Sequence, residues 1–263
     1  MQLFFQIARL SFQRQLTYRT ANFAGLITNL FFGLLRASVL VALYQGRAVI
    51  EGISVQGAVT YTGITQAVIG YLSLFGWWEV MLSVYKGDIA TDLLKPMNFF
   101  LYWLAQDTGR SLAQFLLRSL PLVAAYALVY PIEFPRLPWQ WLALMAALAL
   151  SSLVSFAWRF LVNLASFWTP DARGIGRLAY TGMLIFSGFI FPLRFFPEWF
   201  QRLSHLTPFP SLINTIIEVY LGVLKGSALA WALVNQLAWF LALITLALLV
   251  LRAGVRRLVI QGG

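Results

Sequence analysis

The sequence has no cysteine in 263 residues and a single histidine, His205. Disulfides, haem and iron–sulfur ligation, thiol nucleophiles and histidine-rich zinc sites therefore have no side chains to use. Charge is the second scarcity. Only 11% of residues are charged, where a soluble domain carries about 25%, while 60% are apolar and 16% aromatic. Too few polar side chains remain to cover a water-facing globule, and mean hydropathy is +0.77. Acidic residues are scarcest, nine against nineteen Lys and Arg, for a formal charge of +10. The basic residues fall in short segments between long apolar runs, which points to membrane orientation and anionic lipid contact and away from nucleic acid. No Gly-x-x-x-x-Gly-Lys-Ser/Thr loop and no Gly-x-Gly-x-x-Gly turn occurs, so the usual ATP cradle is missing. With one histidine in a proline-rich stretch no Ser-His-Asp triad can be built. Neither a catalytic residue nor a metal site is expected.

What is present is a series of apolar runs. Crossing a hydrocarbon core of about 30 Å takes roughly 20 helical residues. Runs of that size lie near 22–44, 57–78, 111–130, 139–160 and 229–251, with an interrupted one near 178–196. The pattern predicts an all-α polytopic membrane protein, one domain over residues 1–263 with six transmembrane helices. Placing the N-terminus inside puts Arg9, Arg14, Arg19, Lys86, Lys95, Arg110, Arg173, Arg177, Arg252, Arg256 and Arg257 on the cytoplasmic side. The outer segments then hold only Arg47, Arg136, Arg194, Arg202 and Lys225. The excess of positive charge inside implies a plasma-membrane protein with both termini cytoplasmic.

Residues 1–21 read as an interfacial helix. Gln2, Gln6, Arg9 and Gln13 share one face, with Leu3, Phe4, Ile7 and Leu10 largely opposite. The stretch Met1–Asn22 is long for a signal-peptide n-region and is followed by no small-x-small cleavage site, so it is expected to be retained. The fourth run continues to Trp168, about 45 Å of helix at 1.5 Å per residue, and should project into the cytoplasm. Ala143, Ala147, Ser151 and Ser155 give it a small-residue ridge suited to close packing. Pro192 and Arg194 interrupt the fifth run, and Pro197, Pro208 and Pro210 follow. This predicts an outer cap of re-entrant short helices from Leu193 to Ala228. One lies near Pro197 to His205 with Trp199, Leu203 and Leu206 on its apolar side; the other is N-capped by Ser211 and ends at Gly222. Trp77, Trp78, Trp139, Trp141, Trp168 and Trp231 fall near run ends, as interfacial belts do.

The most informative polar segment runs from Glu79 to Arg110. Asp88 reads as the N-cap of a helix about two turns long, stopped by Pro96. Ile89, Leu93 and Leu94 then form an apolar edge rimmed by Asp88, Asp92, Lys86 and Lys95. Such an edge suits docking into a groove on another protein, or a turn resting on lipid. Arg36 lies deep in the first run, where it either lines a path for an anionic or polar substrate or snorkels outward and pairs with Glu51. Arg118 and Arg159 lie nearer the cytoplasmic ends, where snorkelling is expected.

The order of these features resembles the permeases of ABC-2 type transporters, and within them a compact bacterial branch long of unknown function. The likeness rests on the stretch from Gly87 to Pro96 with Leu93-Leu94-Lys95-Pro96, then Ser187-Gly188-Phe189-Ile190-Phe191-Pro192-Leu193 with Phe196-Pro197. Pro208-Phe209 with Tyr220-Leu221-Gly222 follows, then the tail Arg256-Arg257-Leu258 to Gly262-Gly263. The resemblance implies that the helix at Asp88 to Leu94 couples to a separate ATP-binding cassette ATPase, through Asp88, Ile89, Asp92, Leu93 and Leu94. It implies no cofactor on this chain, ATP and Mg on the ATPase, and a second permease chain, identical or related, beside membrane lipid. It implies export of an amphiphilic or lipid-like substrate across a bacterial inner membrane, with the cap as an outer gate around Phe191, Pro192, Phe196 and Pro197. An intramembrane lipid-modifying enzyme, an ion-coupled carrier and a non-transporting scaffold are the alternatives. The first calls for paired acids within spans and the second for broken helices in both halves.

Overall fold

A chain in lipid must satisfy its backbone N–H and C=O groups internally. The computed structural model, which describes residues 1–169 and 171–257, is accordingly helical apart from one two-stranded hairpin. The elements are α1 (Gln2–Thr17), α2 (Arg19–Tyr44), β1 (Val49–Ile50), β2 (Ile53–Ser54), α3 (Val55–Leu72), α4 (Glu79–Lys86), α5 (Ile89–Leu93) and α6 (Phe99–Gln114). Next come α7 (Leu120–Val129), α8 (Pro138–Asn163), α9 (Arg173–Phe186), α10 (Glu198–His205), α11 (Asn214–Tyr220) and α12 (Gly226–Val255). The motif residues Leu258 to Gly263 lie outside the described residues.

Among the described residues four helices are long and apolar enough to cross a membrane: Arg19–Tyr44, Phe99–Val129, Pro138–Phe167 and Gly226–Val255. They coincide with the first, third, fourth and last predicted runs. The third begins at Phe99 and not near 111, because Asn98 caps it: Asn98 Oδ1 accepts from Phe100 N at 3.0 Å and from Leu101 N at 3.3 Å. The polar segment from Glu79 therefore ends at Asn98, and Asp107 and Arg110 are helical. A π-helical turn at Phe115–Ser119 joins α6 to α7 without a break.

The second run becomes α3, the central helix. Almost every residue from Gly57 to Leu72 is buried, so α3 is enclosed by the rest of the chain. Polar residues are tolerated there because each hydroxyl finds a partner: Thr60 donates to Gln56 O, Thr62 to Val59 O and Thr65 to Tyr61 O. Ser54 caps it, accepting from Gly57 N at 2.8 Å and donating to Glu133 Oε1 at 2.7 Å. Tyr126 of α7 wedges between Gly33 of α2 and Gly63 of α3, where a Cβ on either glycine would press on its ring.

The fifth run is shorter than expected and breaks earlier. Its helix covers Arg173–Phe186, and the chain turns at Gly188 with φ +81, before Pro192 is reached. Tyr61 OH donates to Gly188 O at 2.7 Å, and Asn214 N donates to Ser187 O at 3.1 Å. Buried side chains and a positive-φ glycine thus stop α9, and the proline follows a break already made.

The short helices after it are present, with one correction. Ser211 is not an N-cap: Pro208 starts a 3-10 turn over Phe209–Ser211, and α11 begins only at Asn214. The Ser211 carbonyl instead accepts from Ser151 Oγ at 2.6 Å and Gln236 Nε2 at 2.9 Å. The small-residue ridge of α8 is thereby filled by α12 and this turn. Trp199, Leu203 and Leu206 of the α10 region are exposed together.

Helix α1 lies along α6. Phe4, Ile7, Ala8, Ser11, Phe12 and Gln15 turn toward the protein, while Gln2, Gln6, Arg9 and Gln13 are exposed as expected. Leu3 and Leu10 are exposed as well, so the apolar residues divide between α6 and the surroundings. Trp139, Trp141, Trp168 and Trp231 are exposed near helix ends, but Trp77 is buried and Trp78 packs on Tyr180 and over Gly176. These two belong to the core, because the turn carrying them folds inward under α9.

Candidate functional site

At the C-terminal end of α8, a buried network holds the α4–α5 hairpin. Asp107 Oδ1 and Oδ2 accept from Arg159 Nη1 at 3.0 Å and Nη2 at 2.8 Å, and Oδ1 also accepts from Arg110 Nε at 2.9 Å. Arg110 caps the end of α3, donating to Gly70 O at 2.9 Å and Tyr71 O at 3.1 Å. Arg159 Nε reaches Ser155 Oγ at 3.1 Å, and Ser155 donates to Leu72 O at 2.8 Å. One turn along α8, Asn163 accepts from Met81 N at 3.0 Å and donates to Trp77 O at 2.7 Å. The C-terminal end of α3, the middle of α6, α8 and the start of α4 are thereby one polar unit inside an apolar frame.

Arg159 does not snorkel. It is fully buried, because Asp107 on the neighbouring helix neutralises it and a bidentate pair can be desolvated where a lone guanidinium cannot. Sequence reasoning missed Asp107 by assigning it to a loop. The readable signal was Asn98 ahead of an aromatic run, with Asp107 and Arg110 three residues apart on the helix it opens.

The hairpin itself departs from the expected single apolar edge. Gly87 at φ +81 ends α4, and Asp88 is already helical and makes no side-chain cap, so α5 is only five residues long. Ile89 is buried in a cluster with Trp77, Val80, Phe99, Trp103, Phe156 and Phe160, and Leu93 is partly buried against it. Asp92 is also buried, accepting from Ser83 Oγ at 2.6 Å and from Lys95 Nζ at 2.6 Å. Lys95 Nζ lies 3.8 Å from the Tyr102 ring centroid. Burial pushes the Lys95 ammonium down, but Asp92 and Tyr102 more than offset it and hold its pKa above the ordinary lysine value. Ile89 and Asp92 thus fasten the hairpin to its own chain. The outward set is Leu82, Tyr85, Lys86, Asp88, Thr91 and Leu94, of which Leu94 is 85% exposed.

Elsewhere in the chain, Arg36 on α2 does not pair with Glu51. Its Nη2 donates to Phe189 O and, at 2.7 Å, to Ile190 O, with Cζ 4.5 Å from the Phe189 centroid. It ties α2 to the break after α9, where the carbonyls of Phe189 and Ile190 stand outside any helix. Of the expected gate residues, Pro192 is buried, Phe191 and Phe196 are half-buried and Pro197 is exposed. Phe196 stacks on Phe200 at 4.6 Å between centroids and Phe186 on Phe200 at 5.3 Å, while Phe191 approaches Phe196 at 6.5 Å. These rings pack α10 over the end of α9. Arg194 Nε donates to the buried Glu218 at 2.6 Å and joins the 3-10 turn after Pro192 to α11.

Compared with models of known families, residues 29–262 match the one described as ABC-2 family transporter protein. No curated protein matches the chain.

Proposed function

The chain belongs to the ABC-2 transporter family, a multi-pass membrane group, and from that membership we propose that it is the permease subunit of an ATP-binding cassette exporter. In this reading a separate ATPase subunit carries ATP and Mg, and a second permease chain, identical or related, completes the path. The substrate is amphiphilic or lipid-like, and the protein sits in a bacterial inner membrane with both termini cytoplasmic. The six spans are α2, α3, α6 with α7, α8, α9 and α12, and α10 and α11 form the re-entrant outer cap. The 18 residues of α3 reach about 27 Å at 1.5 Å per residue, close to the hydrocarbon thickness. Being surrounded by protein, α3 needs no lipid-grade apolarity. The 14 residues of α9 reach about 21 Å, and the turn after Gly188 extends that path.

The observation that carries the reading is the α4–α5 hairpin. It is anchored from within by Ile89, Asp92 and Asn163, and turns Leu82, Tyr85, Thr91 and Leu94 outward from the chain. An exposed leucine tip on a rigid mount suits insertion into a groove on a soluble partner. Force applied there passes through Asp107, Arg110 and Arg159 to three long helices without a flexible link. The lipid-enzyme alternative gains nothing from the geometry: the buried acids Asp92, Asp107 and Glu218 are each held by a cation, and no two share a site.

The test asks whether a P-loop ATPase is encoded beside the gene for this chain and co-purifies with it. Leu94→Asp should abolish capture of the ATPase while leaving the permease inserted and folded, since Leu94 makes little contact with its own chain. Full capture by Leu94→Asp together with Tyr85→Asp would remove the hairpin from the ATPase interface.

A further inference from the structure

Arg118 sits on the π-helical turn between α6 and α7, and two glycines make its place. A Cβ on Gly25 of α2 would overlap Arg118 Nη2, and one on Gly70 of α3 would stand 3.4 Å from Cζ. The guanidinium therefore lies in a slot between two helices that lack side chains at that level. It does not reach past them as a snorkelling arginine would. Its bonding is sparse. Nη1 meets Gln114 Oε1 at 3.4 Å, and Nε is buried with no partner. Among the described residues no carboxylate lies within ion-pair distance of it.

The slot opens into a cavity of about 290 Å³ lined by Asn29, Ser73, Gly76, Arg110, Gln114 and Arg118. Arg110 has committed its donors to Asp107, Gly70, Tyr71 and Ser111, so it supplies field and Arg118 supplies free N–H groups. The charge does not close. Arg110 and Arg159 share one bonded carboxylate, Asp107, with Glu79 acting on both from farther off, whereas Arg118 has no such counter-charge. An unpaired guanidinium at the edge of a hydrocarbon layer is costly unless an anion joins it. Phe75, exposed at the rim of the same cavity, offers an apolar neighbour for what the anion is attached to.

We propose that this cavity binds a phosphate-class anion, the headgroup of an anionic phospholipid or free phosphate, through Arg118 with Asn29 and Ser73 as neutral donors. Arginine forks match phosphate oxygens geometrically, and basic pockets between helices are recurrent headgroup sites. The assignment rests on the permease reading only for the leaflet, which that orientation makes cytoplasmic.

The experiment places the full chain in nanodiscs of phosphatidylcholine, of phosphatidylcholine with phosphatidylglycerol, and of phosphatidylcholine with inorganic phosphate in the buffer. Thermal midpoint and lipid retention by native mass spectrometry are read in each. The wild type should retain one phosphatidylglycerol and melt higher with it. Arg118→Gln should weaken that retention by about five-fold or more, as expected for loss of one basic contact to an anionic headgroup. Asn29→Leu, which removes the amide donor that α2 brings to the cavity, should weaken it too. Protection by inorganic phosphate alone would identify the free anion as the ligand, and protection by phosphatidylglycerol alone the lipid. If neither anion raises the midpoint, or if both variants retain phosphatidylglycerol like the wild type, the proposal is overturned. No ATPase or transport enters the measurement, so its failure leaves the permease reading standing, and the converse holds.

Discussion

Asp107 on α6 and Arg159 on α8 meet in a two-point ion pair with side chains only 2% and 1% exposed. Both carboxylate oxygens and both terminal guanidinium nitrogens are engaged. A buried pair of this kind is weak evidence for stability in itself, but breaking it from one side strands the other charge. The two sides are not equivalent. Arg159→Gln leaves Asp107 with Arg110, whereas Asp107→Asn leaves two guanidiniums facing each other.

Asp107→Asn should therefore destabilise the detergent-solubilised protein by about 3–5 kcal/mol, and Arg159→Gln by distinctly less. Thermal unfolding of both variants decides the order. Equal or reversed losses would mean that Arg110 does not share the carboxylate as the distances indicate.

Gly109 marks the closest approach of α1 and α6, since a Cβ there would overlap the carbonyl of Ala8. Backbone gives way less readily than a flexible side chain. Gly109→Ala should cost about 1–3 kcal/mol as an overpacking change and expose the α1–α2 junction near Tyr18 to protease. An unchanged cleavage pattern would show that α1 adjusts without undocking.

Arg36→Met removes the donor that holds the carbonyls of Phe189 and Ile190. Charged hydrogen bonds of this sort contribute about 1.5–3 kcal/mol, and stability should fall by a like amount. Alkylation of a cysteine introduced by Ile190→Cys should speed up in the Arg36→Met background. An unaltered rate would mean that Tyr61 and Asn214 suffice to hold the break.

Lys95 sets a pH dependence whose sign follows from its raised pKa. A cation held above its unfolded pKa contributes fully below that unfolded value, and the contribution is lost as pH rises through the folded one. Wild type and Lys95→Met should thus differ in thermal midpoint by a constant amount from about pH 6 to about pH 9. The gap should close only above the ordinary lysine range. A gap that closed between about pH 9 and about pH 6, where the carboxylate stays ionised, would mean that the ammonium is not what Asp92 is holding.

Much of the fold was legible because lipid imposes a simple demand, a run of apolar residues per crossing. The runs that became α2, α8 and α12 could be read almost end to end. Helix α3 was legible as a run but not as the centre of the bundle, since partners for Thr60, Thr62 and Thr65 are set by the helix backbone and neighbours. The hairpin was found at its correct place, but its faces were not. Asp88 looked like a cap and Ile89 like an exposed edge, because sequence spacing cannot say on which side a two-turn segment meets its own chain. Arg36 stood out in the sequence as a charge within an apolar run, but its partners lie 153 and 154 residues away as backbone carbonyls, which carry no sequence signature.

Composition and apolar periodicity alone determined that this is a helical membrane protein, since solvation by lipid leaves few alternatives. Tertiary structure alone decided which charges are buried, which helix stands in the middle and which residues of the hairpin face outward. Those outcomes depend on meetings between distant segments: Asp107 with Arg159, Arg36 with the turn after Gly188, and Arg118 between Gly25 and Gly70. The physical reason is that a charge in low dielectric is tolerated only where another group arrives to meet it, and chain order does not record arrivals.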